Sequence, residues 1–263
     1  MKPNKWAGVF LFLAFCILAL SIAAAAQEKK PQLYFVEDYV VKPSMVAQFE
    51  ATIKQVYSTI FAPTGWPWPI VMYSTEDFHY YLVYRFENLA EIDKAFATFA
   101  EILGKIGAEK WDALNKKMGD AAEYYKQATF TFSPEISYIP EKPRLKPEEE
   151  KFAYWGFCYV MPGREKEFEA LFKKIVEICE SKKLTIQFNT FIGGIGTDAP
   201  LYFYTEFGRT MGDFFVTAEK TDKILGQEIT DIWNKVLSLM RKYEFKTGLV
   251  RPDLSYAPAA KAK

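Results

Sequence analysis

One histidine and two adjacent carboxylates are the residues of this sequence best suited to moving a proton. His79 is the only histidine among the 263 residues. Its ordinary pKa lies near physiological pH, which suits a general base or a single axial haem ligand. The structural alternative is a half-exposed hairpin histidine beside Asp77. A metal site built from several histidines is excluded by count, and we predict no metal site.

Glu37 and Asp38 interrupt a segment that is otherwise rich in strand-forming residues. Adjacent strand residues point to opposite faces, so one of these carboxylates must face the helices or the interior unless it lies at an edge. The corresponding residues later in the chain are Gly156 and Phe157, so the fold does not require this charge. Two interpretations are open: a proton-handling carboxylate with a raised pKa, or a salt bridge to a neighbouring lysine or arginine.

Two short sequence motifs each occur twice, at nearly the same spacing. Residues 133–140 (SPEISYIP) return 118 positions later as residues 251–258 (RPDLSYAP). The tripeptide Phe-Glu-Ala, which follows a proline, ends at Ala51 and again at Ala170, 119 positions later. We interpret the chain as a tandem duplication. Its predicted parts are a first repeat at 27–140, a charged, proline-broken linker at 141–150, a second repeat at 151–258 and a disordered tail at 259–263.

Hydrophobic periodicity and turn residues predict the same order of elements in both repeats. In the first repeat they predict strands at 33–41, 70–75, 78–86 and 129–139, and helices after Ser44 and over 89–103 and 108–126. In the second they predict strands at 152–160, 184–192, 201–207 and 245–256, and helices at 164–180 and 211–240. The order β-α-β-β-α-β is the ferredoxin-like split βαβ motif.

The strand at 152–160 (FAYWGFCYV) is apolar or aromatic on both alternating faces, which predicts burial on both sides. A ferredoxin-like sheet carries helices on one face only. We therefore predict an α+β fold in which the two repeats pack sheet to sheet into one pseudo-twofold α/β barrel.

This duplicated topology resembles the dimeric α/β-barrel superfamily over about residues 33–258. That superfamily includes antibiotic-biosynthesis-type monooxygenases, stress-responsive barrel proteins and chlorite-dismutase-like haem proteins. The resemblance implies that small molecules bind between sheet and helices. No catalytic motif of the superfamily is matched, so the resemblance implies no catalytic residue here.

The third strand of each repeat supplies the candidate ligand-binding residues. Aligning Phe86 with Phe207 places polar and aromatic side chains on the face predicted to line the barrel interior. Together with a residue of the strand at 152–160, the set is Tyr81, Arg85, Trp155, Tyr202, Tyr204 and Glu206.

In this alignment Arg85 and Glu206 are pseudo-equivalent. They are expected to form a buried ion pair or to be exposed at strand ends, or Arg85 binds a ligand carboxylate.

The amino-acid composition argues against nucleic acid as a partner and against a disordered chain. Lysine plus arginine and aspartate plus glutamate both number 33, so no net charge attracts nucleic acid. Hydrophobic residues make up 50% of the chain and aromatic residues 17%, which favours a packed core over disorder.

Residues 1–26 have the pattern of a signal peptide, with two lysines before an apolar run at 6–22 and alanines at 24–26. An uncleaved anchor is the alternative. Cleavage after Ala26 would leave a periplasmic or secreted protein without a membrane segment.

Three functions are consistent with these residues. The first is an exported barrel that binds a small apolar or aromatic molecule in an aromatic cavity. The second is a cofactor-independent monooxygenase-like enzyme in which Glu37, Asp38 or His79 removes a proton. The third is a structural or interaction protein with a filled interior. We predict no cofactor, and either a monomer or a homodimer.

Overall fold

Eight antiparallel strands close into a barrel in the computed structural model, which describes residues 31–259. The predicted signal peptide at 1–26 and residues 260–263 of the predicted tail lie outside the described residues. The strands are β1 (Gln32–Val41), β2 (Ile70–Thr75), β3 (His79–Phe86), β4 (Ala122–Phe132), β5 (Phe152–Val160), β6 (Phe188–Gly193), β7 (Leu201–Gly208) and β8 (Met240–Val250).

Six helices pack on the outside of this barrel. They are α1 (Val46–Val56), α2 (Leu89–Ile106), α3 (Ala108–Ala121), α4 (Glu165–Ser181), α5 (Met211–Leu225) and α6 (Gln227–Ser238). A π-helical turn, Tyr57–Phe61, extends α1. Helices α2 and α5 begin in the same way, since the side chains of Asn88 and Thr210 each accept a hydrogen bond from the backbone N–H three residues later. In the described part of the chain, no helix is both long and apolar enough to cross a bilayer.

The order of strands around the barrel is β1-β3-β2-β8-β5-β7-β6-β4, and β4 pairs again with β1. The chain before the linker (the first half) contributes β4-β1-β3-β2, and the chain after it (the second half) contributes β8-β5-β7-β6. Two junctions join the halves, β2 with β8 and β4 with β6. The α+β barrel predicted from the sequence is therefore confirmed.

Several predicted boundaries are wrong at the ends of the long helical stretches. The stretch at 211–240 is two helices, because Gly226 takes a positive φ of 69° that ends α5. Strands β4 and β8 begin at Ala122 and Met240, where helix was predicted, and end before the predicted limits at 139 and 256. The residues beyond their ends form short 3-10 turns at Pro134–Ile136 and Pro252–Leu254.

The repeated motif at residues 133–140 and 251–258 forms a reciprocal contact between the halves. The hydroxyl of Ser137 accepts a hydrogen bond of 2.8 Å from the backbone N–H of Thr190 in β6. The hydroxyl of Ser255 accepts one of 3.0 Å from the N–H of Met72 in β2. The tyrosine that follows each serine makes an antiparallel bridge to the same strand, Tyr138 to Phe188 and Tyr256 to Ile70. Each half thus ends by pairing with an edge strand of the other, β2 or β6, and we call these two contacts the serine latches.

Removing the serine latches is expected to destabilise the barrel. Ser137→Ala or Ser255→Ala leaves a backbone N–H without its acceptor beside a buried strand, at a cost of about 1–3 kcal/mol each. Urea unfolding at neutral pH measures the change. Ser238→Ala is the matched control, because the Ser238 hydroxyl donates to a backbone carbonyl on an exposed helix end. A loss no larger than that of the control would contradict this role.

Candidate functional site

A cavity of about 460 Å³ lies between the sheet of the second half and helices α4–α6, and we call it the helix-side cavity. Its wall is mainly aromatic and aliphatic, with Phe172 from α4, Phe214 from α5 and Trp233 from α6. The sheet contributes Tyr204 and Glu206 from β7. A volume of this size and an apolar lining with few polar groups are typical of small-molecule sites.

Glu206 is a buried ionisable group in the wall of the helix-side cavity. Burial raises the pKa of its carboxyl to about 7, with a smaller contribution from Asp222. Within residues 31–259, no group donates a hydrogen bond to this carboxyl. An unpaired carboxylate is costly in an apolar surrounding, so the acid takes up its proton more readily than in water. Near neutral pH the group can therefore either accept or donate a proton.

Three tyrosine hydroxyls form a chain beside Glu206. The hydroxyl of Tyr243 lies 2.8 Å from that of Tyr204 and 3.1 Å from that of Tyr154. The Tyr204 ring lies over Gly156, where a Cβ atom would come within 2.3 Å of the ring. Burial raises the pKa of Tyr204 well above its usual range, so its hydroxyl stays protonated. Of the three tyrosines, Tyr204 lines the helix-side cavity, and Tyr243 and Tyr154 extend the chain of hydroxyls away from it.

The first half has a corresponding cavity of about 580 Å³ between its sheet and helices, and Glu37 lines it. Gln127 donates a hydrogen bond of 2.9 Å to the Glu37 carboxyl, and the Tyr84 hydroxyl donates one of 3.3 Å. Burial raises the pKa of Glu37, and these hydrogen bonds partly offset that effect. Of the two open interpretations, the salt bridge to lysine or arginine is wrong, since the partners are an amide and a phenol. A catalytic role for Glu37 stays a prediction.

Asp38 and His79 meet at one end of the barrel interior, where β1 ends and β3 begins. The Asp38 carboxylate lies 2.7 Å from Nδ1 of His79, and Asp77 lies 3.6 Å from Nε2. Lys246 in turn contacts Asp77 at 2.5 Å. Asp38 is therefore paired with a histidine and not with the predicted lysine or arginine. His79 lies beside Asp77 as expected, but its side chain is only 16% exposed. Catalysis by this pair stays a prediction.

Two of the predicted ligand-binding residues lie together in the barrel interior. Tyr81 and Trp155 both line its cavity, with their ring centroids 6.0 Å apart. Arg85 is on the same face of β3 as Tyr81, but it is exposed at the end of the strand.

The predicted placement of Tyr202, Tyr204 and Glu206 in the barrel interior is wrong. Leu33 pairs with Phe86 in the first half, whereas Phe152 pairs with Gly208 in the second. The alignment of Phe86 with Phe207 is therefore one residue out of register, and a one-residue shift moves every side chain to the other face.

Tyr202, Tyr204 and Glu206 accordingly point to the helices. The Tyr202 hydroxyl donates a hydrogen bond of 2.6 Å to Glu169 of α4. In the first half, Tyr80 donates one of 2.8 Å to Glu50 in the same way. Arg85 and Glu206 lie on opposite faces of the sheet, so the expected ion pair does not form. The repeated glutamates 50 and 169, each beside a tyrosine of the third strand, are the sequence signal that gives the correct register.

Sequence reasoning also missed Glu150, in the linker. Burial raises the pKa of this carboxyl to about 7. Glu150 lines both the helix-side cavity and the barrel interior, together with Leu145. Its place in the charged run at 148–150 indicated only a solvated face.

Known proteins resemble this chain in structure. No protein-family model matches the sequence, and no curated protein matches it. An anthrone oxidase-like protein superposes with a TM-score of 0.61 at 10% identity, covering 90% of this chain and 97% of its own. Candidate monooxygenases from Lactobacillus acidophilus NCFM and Fusobacterium nucleatum subsp. nucleatum give TM-scores of 0.51 and 0.52 at 8% and 15% identity. They cover 83% and 84% of this chain, and 93% and 92% of their own.

At these identities the similarity shows the fold alone. That fold is an α+β barrel of antiparallel strands, as predicted from the sequence.

The raised pKa of Glu206 predicts a pH-dependent stability. Between about pH 4.5 and 7 the folded protein keeps a proton on Glu206 that the unfolded chain has lost, so stability falls as pH rises through this window. We expect Glu206→Gln to remove this loss and to gain up to about 3 kcal/mol over wild type between pH 5 and pH 8. Chemical unfolding at both pH values measures it. Parallel pH profiles for the two proteins would contradict the assignment.

Proposed function

We propose that this protein is an oxygenase-type enzyme that binds a mainly apolar aromatic molecule in the helix-side cavity. Glu206 would act as the base that removes a proton from it. The observation that carries the proposal is the Glu206 carboxyl, which has a pKa of about 7, faces an aromatic cavity and has no protein hydrogen-bond donor within residues 31–259. A general base is most effective when its pKa lies near the working pH. The superposed anthrone oxidase-like protein and candidate monooxygenases support this reaction class by their fold.

The cavity suits a substrate whose C–H bond is acidified by an aromatic ketone, as in an anthrone. Glu206 takes the proton, and the resulting carbanion gives its electrons to O₂, so a C–O bond forms. The proton returns to the terminal oxygen to give a hydroperoxide. Loss of water from this intermediate converts the CH₂ group to a carbonyl, so that one O₂ is consumed for each ketone and water formed. The Tyr204 hydroxyl would donate a hydrogen bond to the developing oxyanion, and the Tyr243 hydroxyl, 2.8 Å away, would hold Tyr204 in position.

Asymmetry between the halves favours the second half as the site. Glu37 and Glu206 each face a helix layer, but among residues 31–259 only Glu37 of the two accepts hydrogen bonds from neighbouring side chains. A carboxylate that accepts hydrogen bonds from the protein is a weaker base, because those hydrogen bonds stabilise its ionised form. The unsatisfied carboxylate of the second half is the stronger candidate base.

Binding without a reaction is the second candidate function. The aromatic lining of the helix-side cavity favours it, because stacking and apolar burial require nothing from Glu206. The third candidate, a structural protein with a filled interior, is not favoured, because cavities occur on both sides of the sheet.

We further propose, from the sequence, that the two halves arose by tandem duplication. Residues 1–26 would be a signal peptide, which would place the mature protein in the periplasm or outside the cell. The chain would act as a monomer or a homodimer.

Oxidation of anthrone under air tests the reaction, with O₂ uptake and anthraquinone formation as the measurements. We expect Glu206→Gln to lower kcat by at least about 100-fold, the contribution of a general base. The wild-type kcat should rise with pH through about 7, as the Glu206 carboxylate forms. Glu37→Gln is the matched control in the other half and should keep kcat within about threefold.

Two results would contradict the enzyme proposal. One is a Glu206→Gln protein that oxidises anthrone as fast as wild type. The other is wild-type protein that binds anthrone, shown by quenching of tryptophan fluorescence, without accelerating its oxidation above the buffer rate. The second result would support binding without reaction.

A further inference from the structure

The barrel encloses a third cavity, on the face of the sheet away from the helices. Its volume is about 850 Å³, and seven of the eight strands contribute to its wall. We call it the barrel cavity. Along most of the strands the sheet separates it from the helix-side cavity, and near the linker the two cavities share wall residues, among them Glu150 and Phe207. On β7, for example, Phe203 and Thr205 line only the barrel cavity, while Tyr204 and Glu206 line only the helix-side cavity.

The wall of the barrel cavity is aromatic with inward hydroxyl groups. Phe191 stacks on Phe203 with centroids 4.7 Å apart, and Tyr73 meets the edge of Trp155 at 5.7 Å. The hydroxyls of Tyr34, Tyr73 and Tyr81 have no hydrogen-bond partner among residues 31–259. All three residues line the barrel cavity, so their hydroxyls are free to donate hydrogen bonds to a molecule inside it.

The two ends of the barrel cavity differ. At one end, Tyr81 stacks on His79 at 5.7 Å, and Asp38 holds that histidine at 2.7 Å. At the other end, the linker supplies wall residues between the end of β4 and the start of β5. These linker residues are Glu141, Pro143, Leu145, Lys146, Pro147, Glu148 and Glu150. The linker is therefore the cover through which a molecule would enter.

We infer that the barrel cavity is a second binding site, separate from the proposed active site, for a neutral aromatic ketone or quinone. Aromatic rings of the ligand would stack on the phenylalanine, tyrosine and tryptophan rings. Its carbonyl oxygens would accept hydrogen bonds from the tyrosine hydroxyls. A charged ligand is disfavoured, because the strand residues that line the cavity carry no charged side chain to offset its desolvation, and the charged residues of the wall all belong to the linker at one end.

Nile red is a suitable probe, since it is neutral, polycyclic and carries a ring carbonyl, and its fluorescence rises in apolar surroundings. We expect wild-type protein to bind it, with a Kd measured by fluorescence titration. Val83→Trp places an indole inside the barrel cavity and should raise this Kd at least tenfold. Thr217→Trp is the matched control, because Thr217 lines only the helix-side cavity, and it should leave the Kd within about twofold.

Circular dichroism shows whether Val83→Trp is folded. If it is not, conservative variants test the same inference. The double variant Tyr73→Phe and Tyr81→Phe keeps both rings and removes two donors, so Kd should rise about three- to tenfold for each hydrogen bond lost. Tyr204→Phe, in the helix-side cavity, should change Kd less than twofold. The inference is overturned if wild-type protein does not bind Nile red or if folded Val83→Trp binds it as tightly as wild type. It is also overturned if the double variant leaves the Kd unchanged or if Thr217→Trp abolishes binding. Anthrone oxidation is measured separately, so either proposal can fail alone.

Discussion

Closure of the barrel depends on the exchange of backbone pairing between the halves. Each half ends in a segment whose serine and tyrosine pair with an edge strand of the other half. The N–H of Arg251 also donates to Met72, and that of Ser133 donates to Thr190, so both contacts have the same pattern. Without them, the edges of β2 and β6 would present unpaired backbone groups. The close approach at the β2–β8 junction also requires Gly248, since a Cβ atom there would come within 2.1 Å of the Ser74 carbonyl oxygen.

Closure gives the sheet an inner and an outer face, and cavities lie on both. The outer face packs on helices, where cavities remain in both halves. The inner face encloses a single space lined by aromatic rings. A filled interior would need side chains from eight strands to meet at the axis. The observed residues leave a space that small molecules can occupy.

The two halves share a scaffold but differ in the chemistry that they present. Glu50 and Glu169 occupy matching places and accept hydrogen bonds from matching tyrosines. Glu37 has Gly156 as its counterpart, and the absence of a side chain at Gly156 makes room for the Tyr204 ring. Residues that hold the fold are thus alike in both halves, whereas residues around the buried carboxylates are not. This pattern allows one half to keep stability while the other acquires a site.

The sequence was sufficient for the element order and the barrel, and insufficient for the register of one strand. Helical and strand periods differ enough to separate the elements, and the apolar residues on both faces of β5 required a covered inner surface. In β7 too, aromatic residues occur on both faces. The polar–apolar alternation that fixes register is therefore missing, and β7 could be aligned in either of two registers. Burial of Glu150 and Glu206 depends on helices and a linker that come together only in three dimensions. No local sequence pattern indicates that these two carboxyl groups are buried.

The linker has a consequence for how the two proposed sites communicate. Leu145 and Glu150 form part of the wall of both the helix-side cavity and the barrel cavity. A molecule that displaces these two residues on entering one space also reshapes the neighbouring space. Thermodynamic linkage then requires the effect to be mutual: whatever the first occupant does to the affinity for the second, the second does equally to the first.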